Sequence, residues 1–171
     1  YIRASSWTGL RNRDYFLIDV KTGLKSLVLK NNSYARLSPA GNYVAWYDPS
    51  DSSYYARSTG MARFDTISLT KMIPVSFYNE LHDSPSDPRP YGIAGWAAED
   101  KAVFIYDRYD IWKIDPSGIK VPVNMTKAFG RRNNTRLRFV ELDRENEFIP
   151  SDESIILQAF EGRTMSSGLI E

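Results

Sequence analysis

The sequence predicts an all-β chain made of repeated units of short antiparallel strands. The apolar run Val44-Ala45-Trp46-Tyr47-Asp48 returns as Val103-Phe104-Ile105-Tyr106-Asp107, an offset of 59 residues, and returns more weakly at 152–161. Aromatic residues make up 13% of the chain, a composition typical of twisted sheet. Repeats of roughly 40–50 residues built from short strands are the mark of β-propeller blades. The predicted fold is part of a β-propeller, with two complete four-stranded blades flanked by two half blades.

The first part of the chain predicts a half blade followed by a complete blade. Residues 14–20 and 24–30 read as an outer hairpin around a Thr-Gly turn, so 1–33 is assigned as a half blade. The blade at 34–70 has strands at 34–37, 43–47, 53–57 and 66–70. Five consecutive apolar positions at 43–47 suit a strand packed on both faces, and Gly41 supplies the turn before it.

The second part of the chain repeats this pattern after a long connection. Residues 71–90 form a connecting arm, and a loop of this length is usually functional or an insertion. The blade at 91–126 has strands at 91–96, 102–106, 109–115 and 121–125. Residues 127–171 are assigned as an incomplete blade, with strands beginning at Phe139 and Ile155 and no outer hairpin. A start without Met and half blades at both ends favour a piece of a longer protein.

Charge and composition argue against several classes of function. The chain has 22 basic and 21 acidic residues, so its balance gives no electrostatic case for nucleic acid or an anionic membrane. It has no cysteine, which excludes thiol catalysis, disulfides and cysteine-based zinc sites. The oxygen-rich stretch 48–52 lacks the glycine and terminal glutamate of a calcium loop. We therefore predict no cofactor and no metal site.

Several stretches resemble a known family. Leu-Ser-Pro-Ala-Gly-Asn-Tyr-Val-Ala-Trp, at Leu37 to Trp46, resembles the Ser-Pro-Asp-Gly blade signature, with Ala40 in place of the usual aspartate. Two groups share that signature: the periplasmic Tol-system propellers and the N-terminal propellers of the prolyl oligopeptidase/dipeptidyl peptidase IV serine peptidases. The stretches 91–96, 105–112, 124–126 and 130–133 are similar to the propeller of bacterial members of the peptidase family.

The resemblance to the peptidases implies that catalysis lies outside this chain. In that family a separate hydrolase domain carries the nucleophile in a Gly-x-Ser-x-Gly elbow, followed by Asp and His. No such motif occurs here, and the sole histidine, His82, falls in the proline-rich arm. The chain is thus predicted to have no catalytic residues of its own. The glutamate pair that holds a substrate's free amine in the family's dipeptidyl peptidases is also missing.

The predicted function is that of a non-catalytic propeller segment of a prolyl oligopeptidase-type serine peptidase. The resemblance implies that it gates or binds peptide substrate and docks the protein's own C-terminal α/β-hydrolase domain. It also implies a periplasmic or exported bacterial protein. The alternative is a stand-alone periplasmic protein-binding propeller of the Tol-system type.

Four arginines within nine residues are the candidate substrate or interface residues, because a guanidinium reads a carboxylate with two hydrogen bonds. They are Arg131, Arg132, Arg136 and Arg138. The alternative is a solvated loop with local ion pairs to Glu141, Asp143 or Asp107.

Two further expectations concern packing. Asp48 and Asp107 end equivalent strands, so we expect them to cap turn amides or pair with a nearby arginine. Trp46, Trp96 and Trp112 are expected to pack between blades. An open array of blades exposes apolar faces and strand edges at its ends, which predicts self-association of the chain or pairing of its first hairpin with its last half blade.

Overall fold

The computed structural model describes residues 13–60, 65–143, 145–150 and 154–171, and these residues form an all-β fold. Strands hold 41% of them and helices 5%. The strands make four small antiparallel sheets that follow one another along the chain. The polar segment 1–12 and the start of the third repeat, at 152–153, lie outside the described residues. No helix in the described ranges is long and apolar enough to cross a membrane.

The first two sheets confirm the predicted hairpin and the first four-stranded unit. The first sheet is β1 (Arg13–Ile18) and β2 (Lys25–Asn32). The second sheet contains β3 (Arg36–Leu37), β4 (Tyr43–Asp48), β5 (Ser53–Ser58) and β6 (Thr66–Ser68). Its strands lie side by side in chain order, so it is a simple meander.

The third and fourth sheets follow the connecting arm. The third sheet contains β7 (Ile93–Trp96), β8 (Val103–Tyr106), β9 (Ile111–Ile114) and β10 (Val123–Asn124), again in chain order. A 3-10 turn at Ala98–Asp100 joins β7 to β8. The short helix α1 (Phe129–Arg132) leads to the fourth sheet, which contains β11 (Thr135–Phe139), β12 (Leu157–Glu161) and β13 (Ser166–Ile170).

The sheets pack against one another in chain order, and the middle strands explain how. Val44 and Trp46 of β4 pack against the first sheet, whereas Ala45 and Tyr47 pack into the cluster that includes β8 of the third sheet. Phe104 of β8 faces the opposite way and packs with the fourth sheet. Because both faces of β4 and β8 are covered, both strands read as unbroken apolar runs, as the sequence predicted.

A buried carboxylate links the turn of one repeat to the turn of the next. Asp100, in the 3-10 turn of the third sheet, accepts hydrogen bonds from Ser38 Oγ (2.5 Å), Ala40 N (3.2 Å) and Asn42 N (3.0 Å). The three donors belong to the Ser-Pro-Ala-Gly-Asn turn that precedes β4. Three donors satisfy a carboxylate that would otherwise be costly to bury. These hydrogen bonds therefore connect the second sheet to the third.

The last sheet differs from the expectation in two respects. Its first strand, β11, begins at Thr135 instead of Phe139, so Arg136 and Arg138 are strand residues and not part of a loop. Buried Thr135 and Leu137 alternate with these arginines, which is the period of a strand despite the high charge. Its third strand, β13, pairs with β12 over five residues, where the sequence predicted no further hairpin.

The connecting arm divides into a packed half and an exposed half. Ile73 and Phe77 are buried in the cluster between the second and third sheets, and Tyr91 N donates to Phe77 O at 2.9 Å. Tyr78 forms an isolated bridge with Pro90. Between these points most of 80–89 is exposed, so the surface arm predicted for 83–90 is present there.

Candidate functional site

An open groove of about 310 Å³ lies where the connecting arm meets the turns of the third and fourth sheets. We call it the arginine groove. Its principal lining residues are Tyr91, Arg108, Tyr109, Asn134, Arg136 and Phe160. They come from the end of the arm, the β8–β9 turn, the segment from α1 to β11, and β12. The groove is assembled by the packing of four segments that are far apart in sequence.

The β8–β9 turn holds Arg108 and Tyr109 at the groove. Asp107, fully buried at the end of β8, accepts hydrogen bonds through Oδ1 from Tyr109 N (2.6 Å) and Asp110 N (2.7 Å). Its Oδ2 accepts Trp112 Nε1 at 2.9 Å and lies 3.5 Å from the Arg131 guanidinium. The expectation that Asp107 caps turn amides and pairs with an arginine is confirmed.

A second buried aspartate fixes this turn to α1. Asp110 accepts hydrogen bonds from Thr126 Oγ1 (2.6 Å), Gly130 N (2.9 Å) and Arg131 N (3.2 Å). Both carboxylates of the Asp-Arg-Tyr-Asp turn are therefore satisfied within the protein, which leaves them no free oxygen for acid–base work. Their role is to position the two residues between them.

The fourth sheet is tied to the same turn from the other side of the groove. Leu137 N donates to Tyr109 O at 2.8 Å, and Tyr109 Oη donates to Asn134 Oδ1 at 2.8 Å. Gly162 N, at the start of the β12–β13 hairpin, donates to Asn134 O at 3.1 Å. These bonds connect the groove walls directly, so the groove is formed before any ligand arrives.

Arg138 contacts the β8–β9 turn that carries Arg108. Its guanidinium lies 4.4 Å from the Tyr106 ring centroid and donates to Asp107 O (3.2 Å) and Arg108 O (3.4 Å). Burial lowers the pKa of Arg138 and raises the pKa of Tyr106. An arginine remains charged even so, because its ordinary pKa is above 12. Arg138 is thus a partly buried cation that holds the backbone of the β8–β9 turn.

The four predicted arginines have different surroundings. Arg136 is exposed in the groove, with its guanidinium 5.2 Å from the Phe160 ring centroid. Arg131 pairs with Asp107 and lies 5.3 Å from the Tyr109 ring, and Arg132 donates to Lys127 O at 2.7 Å. None of the four forms an ion pair with Glu141 or Asp143 in the described ranges. Only Arg136 of the set lines the groove.

Among the arginines that line the groove, Arg108 was not a candidate in the sequence analysis. Its guanidinium lies 5.0 Å from the Tyr109 ring centroid. Burial raises the pKa of Tyr91, another residue that lines the groove, and the positive charges of Arg108 and Arg138 act to lower it. The only signal in the sequence was its place directly after the strand-ending Asp107, a position where the first repeat has Pro49.

The other candidate centres offer no arrangement for catalysis. His82 Nε2 lies 2.7 Å from Ser86 O and 3.2 Å from Ser86 Oγ, in the exposed half of the arm. Asp48 accepts hydrogen bonds from Ser50, and Asp51 pairs with Lys71 at 3.0 Å. No group of three or more acidic or histidine side chains suited to a metal ion occurs in the part of the chain that the structure describes.

Comparisons of the chain with protein-family models, with curated proteins and with solved structures give no match. The resemblance to peptidase propellers therefore stays a prediction from the motifs quoted above. What the chain shows by itself is an all-β fold of packed antiparallel sheets, with a preformed cationic and aromatic groove between the last two of them.

Proposed function

We propose that the four sheets are successive blades of a β-propeller. Three features support this assignment: the strands of each sheet follow chain order, the sheets pack in chain order, and equivalent strands recur at 59 residues. Propeller blades are four-stranded sheets arranged around a central axis. In this assignment the second and third sheets are complete blades, and the first and fourth are partial ones.

We further propose that this segment binds or gates peptide substrate in a serine peptidase of the prolyl oligopeptidase type. The observation that carries the proposal is the arginine groove. Two of the stretches that resemble the peptidase propellers, 91–96 and 105–112, supply Tyr91, Arg108 and Tyr109 to it. A preformed groove lined by cations and aromatic rings suits substrate binding. Hydrolysis then belongs to a C-terminal α/β-hydrolase domain, in a periplasmic or exported bacterial protein.

Fluorophosphonate labelling of the natural protein that contains this chain tests the peptidase assignment. We expect covalent labelling of one serine, within a Gly-x-Ser-x-Gly elbow, outside these 171 residues. A heat-denatured sample and a variant with that serine changed to alanine are the controls, and both should remain unlabelled. If the folded natural protein takes no label, the peptidase assignment fails, and a stand-alone binding propeller of the Tol-system type becomes the better proposal.

The exposed face of the first sheet supports the expectation of self-association. Phe16, Ile18 and Leu27 lie outward on β1 and β2, and Ile18 is 58% exposed. We expect light scattering on this chain to give a mass above that of a monomer, rising with concentration. Ile18→Lys should shift the mass toward the monomer, because a charge on an open sheet disfavours pairing. Val20→Lys, in the adjacent turn, is the control and should have little effect. A monomer at every concentration would refute self-association.

A further inference from the structure

We propose that the arginine groove is a carboxylate-binding site, in which Arg108 and Arg136 together hold one carboxylate of an extended peptide. The proposal takes from the proposed function only that the ligand is a peptide. It adds the chemical class of the residue that is recognised and the two side chains that recognise it. The pairing state of the arginines, the polarity of the groove, its apolar rim and its preformed walls all favour such a ligand.

Arg108 and Arg136 both lack a carboxylate partner in the part of the chain that the structure describes. Within the described residues the arginine ion pairs are Arg131 with Asp107 and Arg163 with Glu161, and neither Arg108 nor Arg136 forms one. Each lies instead over an aromatic ring, Tyr109 or Phe160. Stacking uses the face of a guanidinium and leaves its N–H edge available for an anion.

The positive charge is also concentrated. Burial lowers the pKa of Arg138, and the nearby positive charge of Arg136 lowers it as well. Like charges gathered in one place repel each other, and an anion relieves that repulsion. The buried Asp107 beneath the turn is already engaged by Arg131 and by three N–H donors. Within the described residues it therefore forms no ion pair with half-buried Arg108 or with exposed Arg136.

The polar side chains that face the groove offer mainly hydrogen-bond donors. Arg108 and Arg136 can only donate hydrogen bonds. Asn134 uses its Oδ1 to accept from Tyr109 Oη, which leaves its amide nitrogen as a donor. Tyr91 Oη accepts from Glu80 N at 3.1 Å, so its own hydrogen is free to be donated. A ligand group with acceptors and no donors, such as a carboxylate, complements this set.

The apolar rim of the groove favours a peptide over a small inorganic anion. Leu81 from the arm is 68% exposed and Met165 from the β12–β13 hairpin is 72% exposed, and both line the groove. The rings of Tyr109 and Phe160 continue this surface. A volume of about 310 Å³ is at the lower end of ligand pockets, enough for an acidic residue and one apolar neighbour.

Hydrogen bonds within the protein hold the walls of the groove in place before a ligand binds. Asp110 ties the β8–β9 turn to α1, and Leu137 N and Tyr109 Oη tie it to the fourth sheet. Arg108 lies on the β8–β9 turn and Arg136 lies on β11 of the fourth sheet. Because these two elements are already connected, binding a ligand between them requires few further groups to become ordered. Low ordering cost raises the affinity that two charge-assisted contacts provide.

Fluorescence anisotropy on this chain tests the proposal with four probes. They are Gly-Ala-Leu-Glu-Ala and Gly-Ala-Leu-Gln-Ala, each with a free or an amidated C-terminus and each labelled at the N-terminus with a neutral boron-dipyrromethene dye that has no free carboxylate. The probe without any carboxylate should bind at least about 10-fold more weakly than the best probe, since one bidentate pair contributes that much. Comparing the Glu amide with the Gln free acid identifies the source of the carboxylate, a side chain or a chain end. Equal binding of all four probes, or of none, overturns the proposal.

Variants assign the effect to the two arginines. Arg108→Gln and Arg136→Gln should each reduce affinity about 10-fold and remove the preference for a carboxylate. Arg136→Lys should recover only part of the affinity, because lysine keeps the charge and loses the fork. Lys30→Gln, an exposed change of equal charge on the first sheet, should have less than a twofold effect. Full affinity in both arginine-to-glutamine variants would overturn the assignment, provided that the wild type prefers a carboxylate.

Two comparisons distinguish carboxylate binding from phosphate binding and from the peptidase assignment. Inorganic phosphate and acetate are added as competitors at equal ionic strength, and we expect phosphate to displace the probe no better than acetate does. Displacement by phosphate at far lower concentration would overturn the carboxylate assignment. The anisotropy result is also independent of fluorophosphonate labelling. Carboxylate preference without a labelled serine would overturn the peptidase assignment and leave the carboxylate site standing. A labelled serine without carboxylate preference would overturn the carboxylate site alone.

Discussion

Replacing Gly130 with alanine is expected to destabilise the chain by about 3 kcal/mol or more. A Cβ at this buried position would lie 2.6 Å from Thr135 O, 2.7 Å from Tyr109 O and 2.9 Å from Asp110 Oδ1. Two of these three atoms are backbone carbonyl oxygens. Tyr109 O already accepts Leu137 N, so it cannot move without breaking the link between the β8–β9 turn and β11.

Helix propensity predicts the opposite sign for Gly130→Ala. Gly130 lies within α1, where a change to alanine ordinarily stabilises by about 1 kcal/mol. The close approach decides the outcome, because overlap with a fixed backbone oxygen costs more than the propensity term returns. We therefore expect packing to outweigh propensity, and the variant to unfold at a clearly lower urea concentration.

Gly168→Ala provides the matched control. Gly168 lies on β13, and a Cβ there would have no atom within 4 Å. Its change in stability should stay within about 0.5 kcal/mol, as for most surface substitutions. Urea unfolding followed by tryptophan fluorescence measures both variants. Equal midpoints for Gly130→Ala and Gly168→Ala would show that the packing around α1 is looser than the structure describes.

The sequence predicted the middle strands of the repeats well, for a physical reason. β4 and β8 are covered on both faces by neighbouring sheets, so each is apolar at nearly every position and stands out in the sequence. The fourth sheet was harder to predict. In β11 the arginines at 136 and 138 alternate with inward residues, and a high local charge resembles a solvated loop unless the period of two is counted.

The groove could be predicted only in part. Arg136 was a candidate because it belongs to a run of arginines, and a run is visible in one sequence. Arg108 was not, because its value depends on what the fold brings beside it: the arm, α1 and the β12–β13 hairpin. Arg131 and Arg138 show the reverse case, since their partners in the β8–β9 turn give them structural roles that their positions in the run did not indicate.

Asp48 and Asp107 occupy the same position of the repeat and have different surroundings. Asp48, at the end of β4, accepts hydrogen bonds from the backbone and hydroxyl of Ser50, at the surface. Asp107, at the end of β8, is fully buried and contacts two backbone amides, an indole and a guanidinium. Sequence equivalence therefore predicts equal effects of substitution, and the structure predicts unequal ones.

Asp107→Ala is expected to destabilise the chain by about 3–5 kcal/mol, and Asp48→Ala by about 1 kcal/mol or less. Removing the Asp107 carboxylate leaves Trp112 Nε1 and two turn amides without an acceptor, and it removes the ion-pair partner of Arg131, whose side chain is 39% exposed. Urea unfolding of the two variants gives the comparison, with m-values checked for two-state behaviour.

The same pair of variants relates stability to binding. Because Asp107 sets the β8–β9 turn, Asp107→Ala should also weaken carboxylate binding at temperatures where the variant is still folded, since Arg108 and Tyr109 lose their fixed position. Asp48→Ala should leave binding unchanged, because the β4–β5 turn does not line the groove. Equal losses of stability in the two variants would contradict the structural distinction. Unchanged binding in folded Asp107→Ala would instead show that Arg108 is positioned by Arg138 and Tyr109 alone.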